Sequence, residues 1–446
     1  MKITADFSHI TGKIKPMHGV GQPPFIGLNF SLFHYLTEAN IPIVRLHDVG
    51  GAYGGFRFVD IPNIFRDFSA DETLPESYDF TFTDKLMEAL VAAKCEPFFR
   101  LGITIENQAE IKAYRTSPPE DTEKWARISE HIIRHYNEGW ADGYHFGIRY
   151  FEIWNEPEGW LFGDAPSPTG MMWSGSKADY FHLYDVTSKH LHAVFGDTIR
   201  IGGYASCGVY ECENDPQLEG FPAPKNEFEW RVHFLHDFLR FVKENDCPFD
   251  YFSWHVYADL DVALRHVRYI RAVLEKYGFG NVPDILNEWN PTHDILLRST
   301  PMAAARVLSY LLAFQKEATA MLCFYDARLG PSEYGGLFNP DTWRPYLAYY
   351  ALKAFGDLYR LGDEIETASD DANVYVGGAS DGTHSVLLLA NPTDTPKEAT
   401  LKLAGVRRDE AEILRIDATC AYTPTGIGLA DAPLVLPPYS CTEIRF

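Results

Sequence analysis

Strand-like and helix-like segments alternate eight times along most of this chain. Runs rich in aromatic and β-branched residues at 14–20, 41–49, 96–102, 150–155, 199–205, 249–257, 284–289 and 321–326 read as strands. Apolar residues at helical spacing lie between them, near 28–39, 83–94, 123–137, 178–195, 227–244, 261–277 and 302–316, and a last such segment falls near 345–358. Strands separated by helices pair in parallel. Eight such units ending in a helix predict a closed (β/α)8 barrel, the TIM-barrel form of the α/β class, rather than an open sheet. No Gly-x-Gly-x-x-Gly follows a strand and no Walker-type lysine is present, so nucleotide binding has no support.

Beyond residue 357 the pattern changes. Short strand-like runs at 374–376, 383–390, 398–403, 411–417 and 434–446 are divided by Gly, Pro, Asn and Asp. They predict an accessory antiparallel β-sandwich, which residues 1–13 would complete through a strand at 2–7. The expected division is a barrel over 14–356 and a second domain over 357–446 with the N-terminus added. A length of 446 residues suits a barrel plus one such module.

Two of the barrel strands end alike. Arg149-Tyr150-Phe151-Glu152-Ile153-Trp154-Asn155-Glu156-Pro157 breaks at a proline just after an amide and a carboxylate. Asp284-Ile285-Leu286-Asn287-Glu288-Trp289-Asn290-Pro291 repeats the plan. A carboxylate at the C-terminal end of a barrel strand stands where barrel enzymes keep catalytic groups. One such Glu is equally well a surface residue. Two of them, on separate strand ends, suggest glycoside hydrolysis, which needs one group to protonate the leaving oxygen and one to attack or to activate water.

The Trp-Asn-Glu-Pro run at Trp154 to Pro157, the Glu288-Trp289 pair and Arg45-Leu46-His47-Asp48 together resemble glycoside hydrolase clan A. Within it the chain looks most like family 39, which includes β-xylosidases and α-L-iduronidases. The resemblance implies a retaining exo-glycosidase acting on a short oligosaccharide, with Glu156 as acid/base and Glu288 as nucleophile. Xylosidase is the first expectation, followed by arabinosidase, galactosidase or iduronidase-like activity. A non-catalytic sugar-binding protein on the same scaffold is the rival from another class. The chemistry requires no metal or organic cofactor.

The resemblance also implies that Asn155 holds the sugar 2-hydroxyl and that His47 touches the sugar. Asp48 departs from the family pattern, in which the acidic residue lies further along. Arg45 is expected inside the barrel, either near Glu288 or in a structural ion pair. His255 and Tyr257 alternate with Trp254 and Val256, so they share a face. If that face is the mouth, Tyr257 donates to Glu288 and His255 reaches sugar or Glu156. Where the clan places a Trp beneath the sugar, this chain has Phe324-Tyr325-Asp326-Ala327-Arg328. Phe324 or Tyr325 is the expected platform, and Asp326 and Arg328 read hydroxyls or a carboxylate. Trp289 joins the expected sugar contacts. Glu106, Tyr53, Phe56, Trp160, Phe162 and Trp173 are candidates for the cleft wall, although ordinary loop packing explains most such residues.

A formal charge of −23 disfavours nucleic acid and anionic membranes as partners. Nine Trp and 25 Tyr exceed what a core alone needs, which suits stacking on sugar faces. Seven scattered Cys form no disulfide framework, and Cys207 and Cys212 lack a second pair for zinc. Reduced thiols, the absence of an apolar segment near Met1 and the lack of a membrane-length apolar run lead to a cytoplasmic expectation. A homo-oligomer is compatible with the sequence.

Overall fold

The computed structural model describes every residue except 25, 28–29, 48, 50–58, 105–115, 160–162, 167–171, 213–225, 293, 295, 330–335 and 431. The chain begins with β1 (Lys2–Lys13), which lies outside the barrel. The barrel strands are β2 (Gly19–Gly21), β3 (Ile43–Leu46), β4 (Glu96–Leu101), β5 (Tyr150–Ile153), β6 (Arg200–Ser206), β7 (Tyr251–Val256), β8 (Asp284–Trp289) and β9 (Met321–Phe324). They pair in parallel in that order and close, β9 returning to β2. Among the described residues the helices are α1 (His34–Glu38), α2 (Ile61–Ile64), α3 (Thr81–Ala92), α4 (Thr122–Asn137), α5 (Lys177–Phe195), α6 (Glu227–Glu244), α7 (Leu260–Lys276), α8 (Pro301–Lys316) and α9 (Leu347–Leu361).

Local chemistry sets the helix ends. Ser176 and Asp179 form a reciprocal capping box on α5, and Asn226 accepts from two backbone N–H groups at the start of α6. Pro301 opens α8, where its missing N–H costs nothing. The first barrel strand is shorter than expected, because Pro16 interrupts the run and pairing starts only at Gly19. Among the described residues of the helix expected near 28–39, only α1 is helical.

The remaining strands are β10 (Asp363–Ser369), β11 (Tyr375–Ser380), β12 (Ser385–Asn391), β13 (Lys397–Ala404), β14 (Glu412–Ile416), β15 (Ala421–Ile427), β16 (Leu434–Leu436) and β17 (Ser440–Arg445). With β1 they make one curled, mixed sheet in the order β15-β14-β17-β12-β11-β10-β1-β13-β16. Its pairs are antiparallel except β1 with β13. β12 is buried on both faces. Leu387 and Leu389 join Ile3, Phe7, Ile365, Leu401 and Ile444 in the sheet's own core, while Val386, Leu388 and Ala390 belong to the large core of the barrel and its helices. That double burial explains the continuous apolar run, which strict alternation would not give. Asp357 on α9 adds a polar tie: Arg445 Nη2 and the Tyr422 hydroxyl each lie 2.9 Å from its Oδ2.

Inside the barrel, strand alternation stacks side chains in layers. The lowest layer is apolar: Ile43, Phe98, Tyr251, Ile285, Met321 and Cys323. Tyr251 fills the axis, and a Cβ at Gly202 would come within 2.5 Å of its ring. Two residues further along the strands, the layer turns polar with Arg45, Glu152 and Asn287. Above that lies the mouth, at the C-terminal ends of the strands.

Candidate active site

Two local breaks in alternation aim the carboxylates inward. On β8, pairing with β7 passes from Leu286 opposite Trp254 directly to Glu288 opposite His255, a bulge at Asn287. Consecutive residues Asn287 and Glu288 therefore both face the barrel axis, and Trp289 turns outward. After β5 the break is a left-handed Trp154, at φ 74. Trp154 turns toward Trp125 and Trp173, its Nε1 donating to Met172 O at 2.7 Å, and Asn155 and Glu156 swing to the mouth.

Arg45 sits at the base of the site, 1% exposed. Its Nε and Nη2 donate to Glu152 Oε2 at 2.9 and 2.7 Å, Nη1 donates to Glu288 Oε2 at 2.9 Å, and Nη2 also reaches Asn155 Oδ1 at 2.5 Å. Asn287 Nδ2 donates to the other Glu152 oxygen at 2.6 Å. A guanidinium this deep needs such pairing, since burying an unpaired charge costs several kcal/mol. The Tyr257 hydroxyl donates to Glu288 Oε1 at 2.5 Å. Glu156 instead meets His255, whose Nδ1 is 2.6 Å from Oε1, and the same ring's Nε2 lies 3.6 Å from Glu288 Oε2.

One oxygen of Glu156, one of Glu288 and a nitrogen of His255 lie within 4.8 Å of one another. Distance alone would let these groups hold a cation. The Arg45 guanidinium already supplies the positive charge on Glu288, and we assign them no metal. Burial pushes both carboxyls above the usual range; for Glu288 the nearby Glu156 charge adds to this, against Arg45 and the Tyr257 hydrogen bond. Glu288 thus has two strong donors that favour its ionised form, and Glu156 does not. Burial lowers His255 to about 4, so its ring is neutral near pH 7. A neutral ring accepts a proton bond from protonated Glu156, or donates one to ionised Glu156.

His47 is 2% exposed at the end of β3, held neutral by burial and by Arg100 and Arg45. Tyr325 is turned toward the mouth, its ring edge-on to Tyr257 at 6.1 Å. Arg328 lies over the Tyr325 ring and donates through Nε and Nη2 to Asp326 Oδ2 at 3.0 and 2.9 Å. Asp48, Tyr53, Phe56, Glu106, Trp160 and Phe162 lie outside the described residues.

Three aromatic expectations are corrected. Phe324 is no sugar platform: on β9, Met321 and Cys323 point into the barrel while Leu322 and Phe324 face the helices. Trp289 is fully buried and stacks on Tyr310 of α8 at 4.8 Å, because the bulge turns it outward. Trp173 is buried behind Trp154 and lines no cleft. Sequence reasoning also passed over Glu152, Asn287, Cys207, Glu158 and Arg231. A charged residue in the middle of a barrel strand, as at Glu152, was the available signal. The Asn-Glu order at Asn287-Glu288, repeating Asn155-Glu156, was another.

The curated β-xylosidase of Geobacillus stearothermophilus is 24% identical over 378 residues, 72% of this chain and 66% of that protein's length. Among solved structures, a glucosidase from Croceicoccus marinus superposes with a TM-score of 0.76 at 18% identity, covering 100% of this chain and 98% of that one. A family 39 β-xylosidase from Caulobacter crescentus gives 0.69 at 18% identity, over 100% and 99%. These likenesses establish the shared fold. The glycosyl hydrolases family 39 model matches residues 54–321, more than half of the 446-residue chain, and the chain belongs to that family.

Proposed function

We propose that this chain is a retaining glycosidase that releases a sugar from a short oligosaccharide or glycoside, with β-xyloside as its first substrate. The observation that carries the reading is the closeness of two carboxyls with different partners. Their oxygens approach within 4.8 Å. Retaining enzymes place the pair about 5–5.5 Å apart, and inverting enzymes leave about 6.5–9.5 Å for a water. Glu288, bonded by Arg45 and Tyr257, attacks the anomeric carbon while Glu156 protonates the glycosidic oxygen, and the leaving alcohol departs. Glu156, now ionised, takes a proton from water, which displaces Glu288 and restores both groups. Asn155 accepts from Arg45 and among the described residues meets only the weak Met172 Sδ acceptor at 3.7 Å, which leaves its amide hydrogens to the sugar 2-hydroxyl.

The xyloside preference is supported by what the Geobacillus and Caulobacter relatives are named for. The pairing of Arg328 with Asp326 leaves that cation partly neutralised, which disfavours a uronate. Hydrolysis of any member of a panel of aryl glycosides removes the alternative of a non-catalytic sugar binder. Azide separates the roles. Glu156→Gln with an activated aryl xyloside should show a burst of phenol and regain turnover with azide, giving a β-glycosyl azide. Glu288→Gln should do neither, and an azide product of inverted configuration from Glu156→Gln contradicts the assignment.

A further inference from the structure

Glu158 takes no part in the steps above, yet it is fully buried two residues beyond Glu156. Its Oε1 accepts the Cys207 backbone N–H at 2.7 Å, and its Oε2 has no partner among the described residues. An ion there would be costly. Burial, then the charge of Glu156, push the carboxyl up to about 8, so the group is neutral near pH 7.

Cys207 follows β6 and links Glu158 to the acid/base. Its thiol lies beside Glu156, and burial followed by the Glu156 charge pushes it well above the usual thiol range. It also packs directly on the turn, since a Cβ at Gly159 would come 2.5 Å from Cys207 Sγ. From α6, Arg231 Nη2 donates to Gly159 O at 3.2 Å, and its charge faces Glu156, Glu158 and Cys207. The Glu156 backbone is left-handed at φ 48, and its N–H is shared between the Tyr204 and Ala205 carbonyls at 3.1 Å each. A bulky residue in that conformation is held by its surroundings rather than by its own preference.

We propose that Glu158 is a positioning residue for the acid/base: by accepting the Cys207 N–H, it fixes the thiol and the 155–159 turn so that Glu156 faces the leaving-group oxygen. The proposal rests on the reading of Glu156 as acid/base. Without the acceptor, a buried N–H is left unpaired, and the segment carrying the thiol moves off Glu156. Steps that need a proton on the leaving group then suffer, and steps that do not are spared.

The test compares a dinitrophenyl glycoside, which leaves without protonation, with the methyl glycoside of the same sugar. Positioned acid catalysis contributes about 10²–10⁴-fold, so partial misplacement in Glu158→Ala should lower kcat/KM on the methyl glycoside by about 10–100-fold. The dinitrophenyl substrate should fall by no more than about threefold, since no proton transfer is involved. Glu158→Gln keeps the acceptor oxygen and should restore the methyl glycoside rate. If Glu158→Ala does not fold, Cys207→Ala keeps the N–H, loses only the thiol and should show the same split. A uniform loss on both substrates, no loss, or a Gln variant as poor as Ala overturns the proposal. Glu156→Gln run alongside tells the two failures apart: if it too lacks the split, the acid/base reading falls with the proposal.

Discussion

Removing the Tyr257 hydroxyl should shift the acid limb of the pH profile upward. Burial and the neighbouring Glu156 press Glu288 toward its protonated form, and Arg45 and Tyr257 oppose them. The Tyr257 bond, 2.5 Å to Oε1, is one of two strong donors that favour ionised Glu288. A hydrogen bond to a charged group is worth about 1.5–3 kcal/mol. At about 1.4 kcal/mol per unit, Tyr257→Phe should raise the Glu288 pKa by about 1–2 units. The proposed attack by Glu288 needs the ionised form, so a higher pKa leaves less active enzyme at a given acid pH, and the acid limb of kcat/KM moves up. The alkaline limb follows the Glu156 proton and should stay. The two carboxyls are close enough to titrate together, so each limb reports an apparent value of the pair. The assay is kcat/KM for an aryl glycoside across the full pH range, wild type against Tyr257→Phe. An acid limb that stays in place or moves down would refute the reasoning.

Arg45→Met strands Glu152 and Glu288 without their cation, and breaking a buried pair should cost about 3–5 kcal/mol in urea unfolding as well as most activity. Phe324→Ala removes a core side chain; it should destabilise by about 3–5 kcal/mol without a selective rise in KM, whereas a selective KM effect would restore the platform reading. Glu443 is 2% exposed beside Asp357, and burial lifts it from 4.5 to about 7. The folded state therefore binds this proton more tightly, and the resulting stability is full below pH 4.5 and lost as pH rises toward 7. Glu443→Gln, which mimics the protonated form, should stabilise by about 2–3 kcal/mol at pH 8 and by little at pH 4, as unfolding at the two pH values will show. Thiol titration of denatured, unreduced protein should find all seven cysteines free.

The barrel was legible because each βα unit carries two periodicities that differ, and eight such units ending in a helix match the strand count of a closed barrel. Glu156 and Glu288 were legible for a different reason: each stands at a strand end just before a proline stop. What the pattern could not reveal was direction. Strict alternation puts Glu288 on the opposite face from Asn287, and only the bulge brings both inside and sends Trp289 out. Phe324 failed for the complementary reason, since alternation does hold on β9 and assigns it to the helix side. At Glu152 the signal was a charge in mid-strand, but its partner Arg45 is 107 residues away, and no local spacing announces such a pair. Strands β10 and β15 escaped because their exposed positions are polar or mixed, so neither shows a continuous apolar run. No described helix is long and apolar enough to cross a membrane.

In the proposed retaining mechanism Glu288 forms the covalent intermediate and Glu156 does not. This assignment is tested most directly by incubating the protein with a 2-deoxy-2-fluoro-β-xyloside bearing a dinitrophenyl leaving group, then digesting it and mapping the label by mass spectrometry. The fluorine slows both steps, and the good leaving group lets the first proceed, so the glycosyl-enzyme should accumulate. One sugar per chain is expected, on the peptide containing Glu288. A label on Glu156, or phenol released with no adduct at any carboxylate, would contradict the assignment.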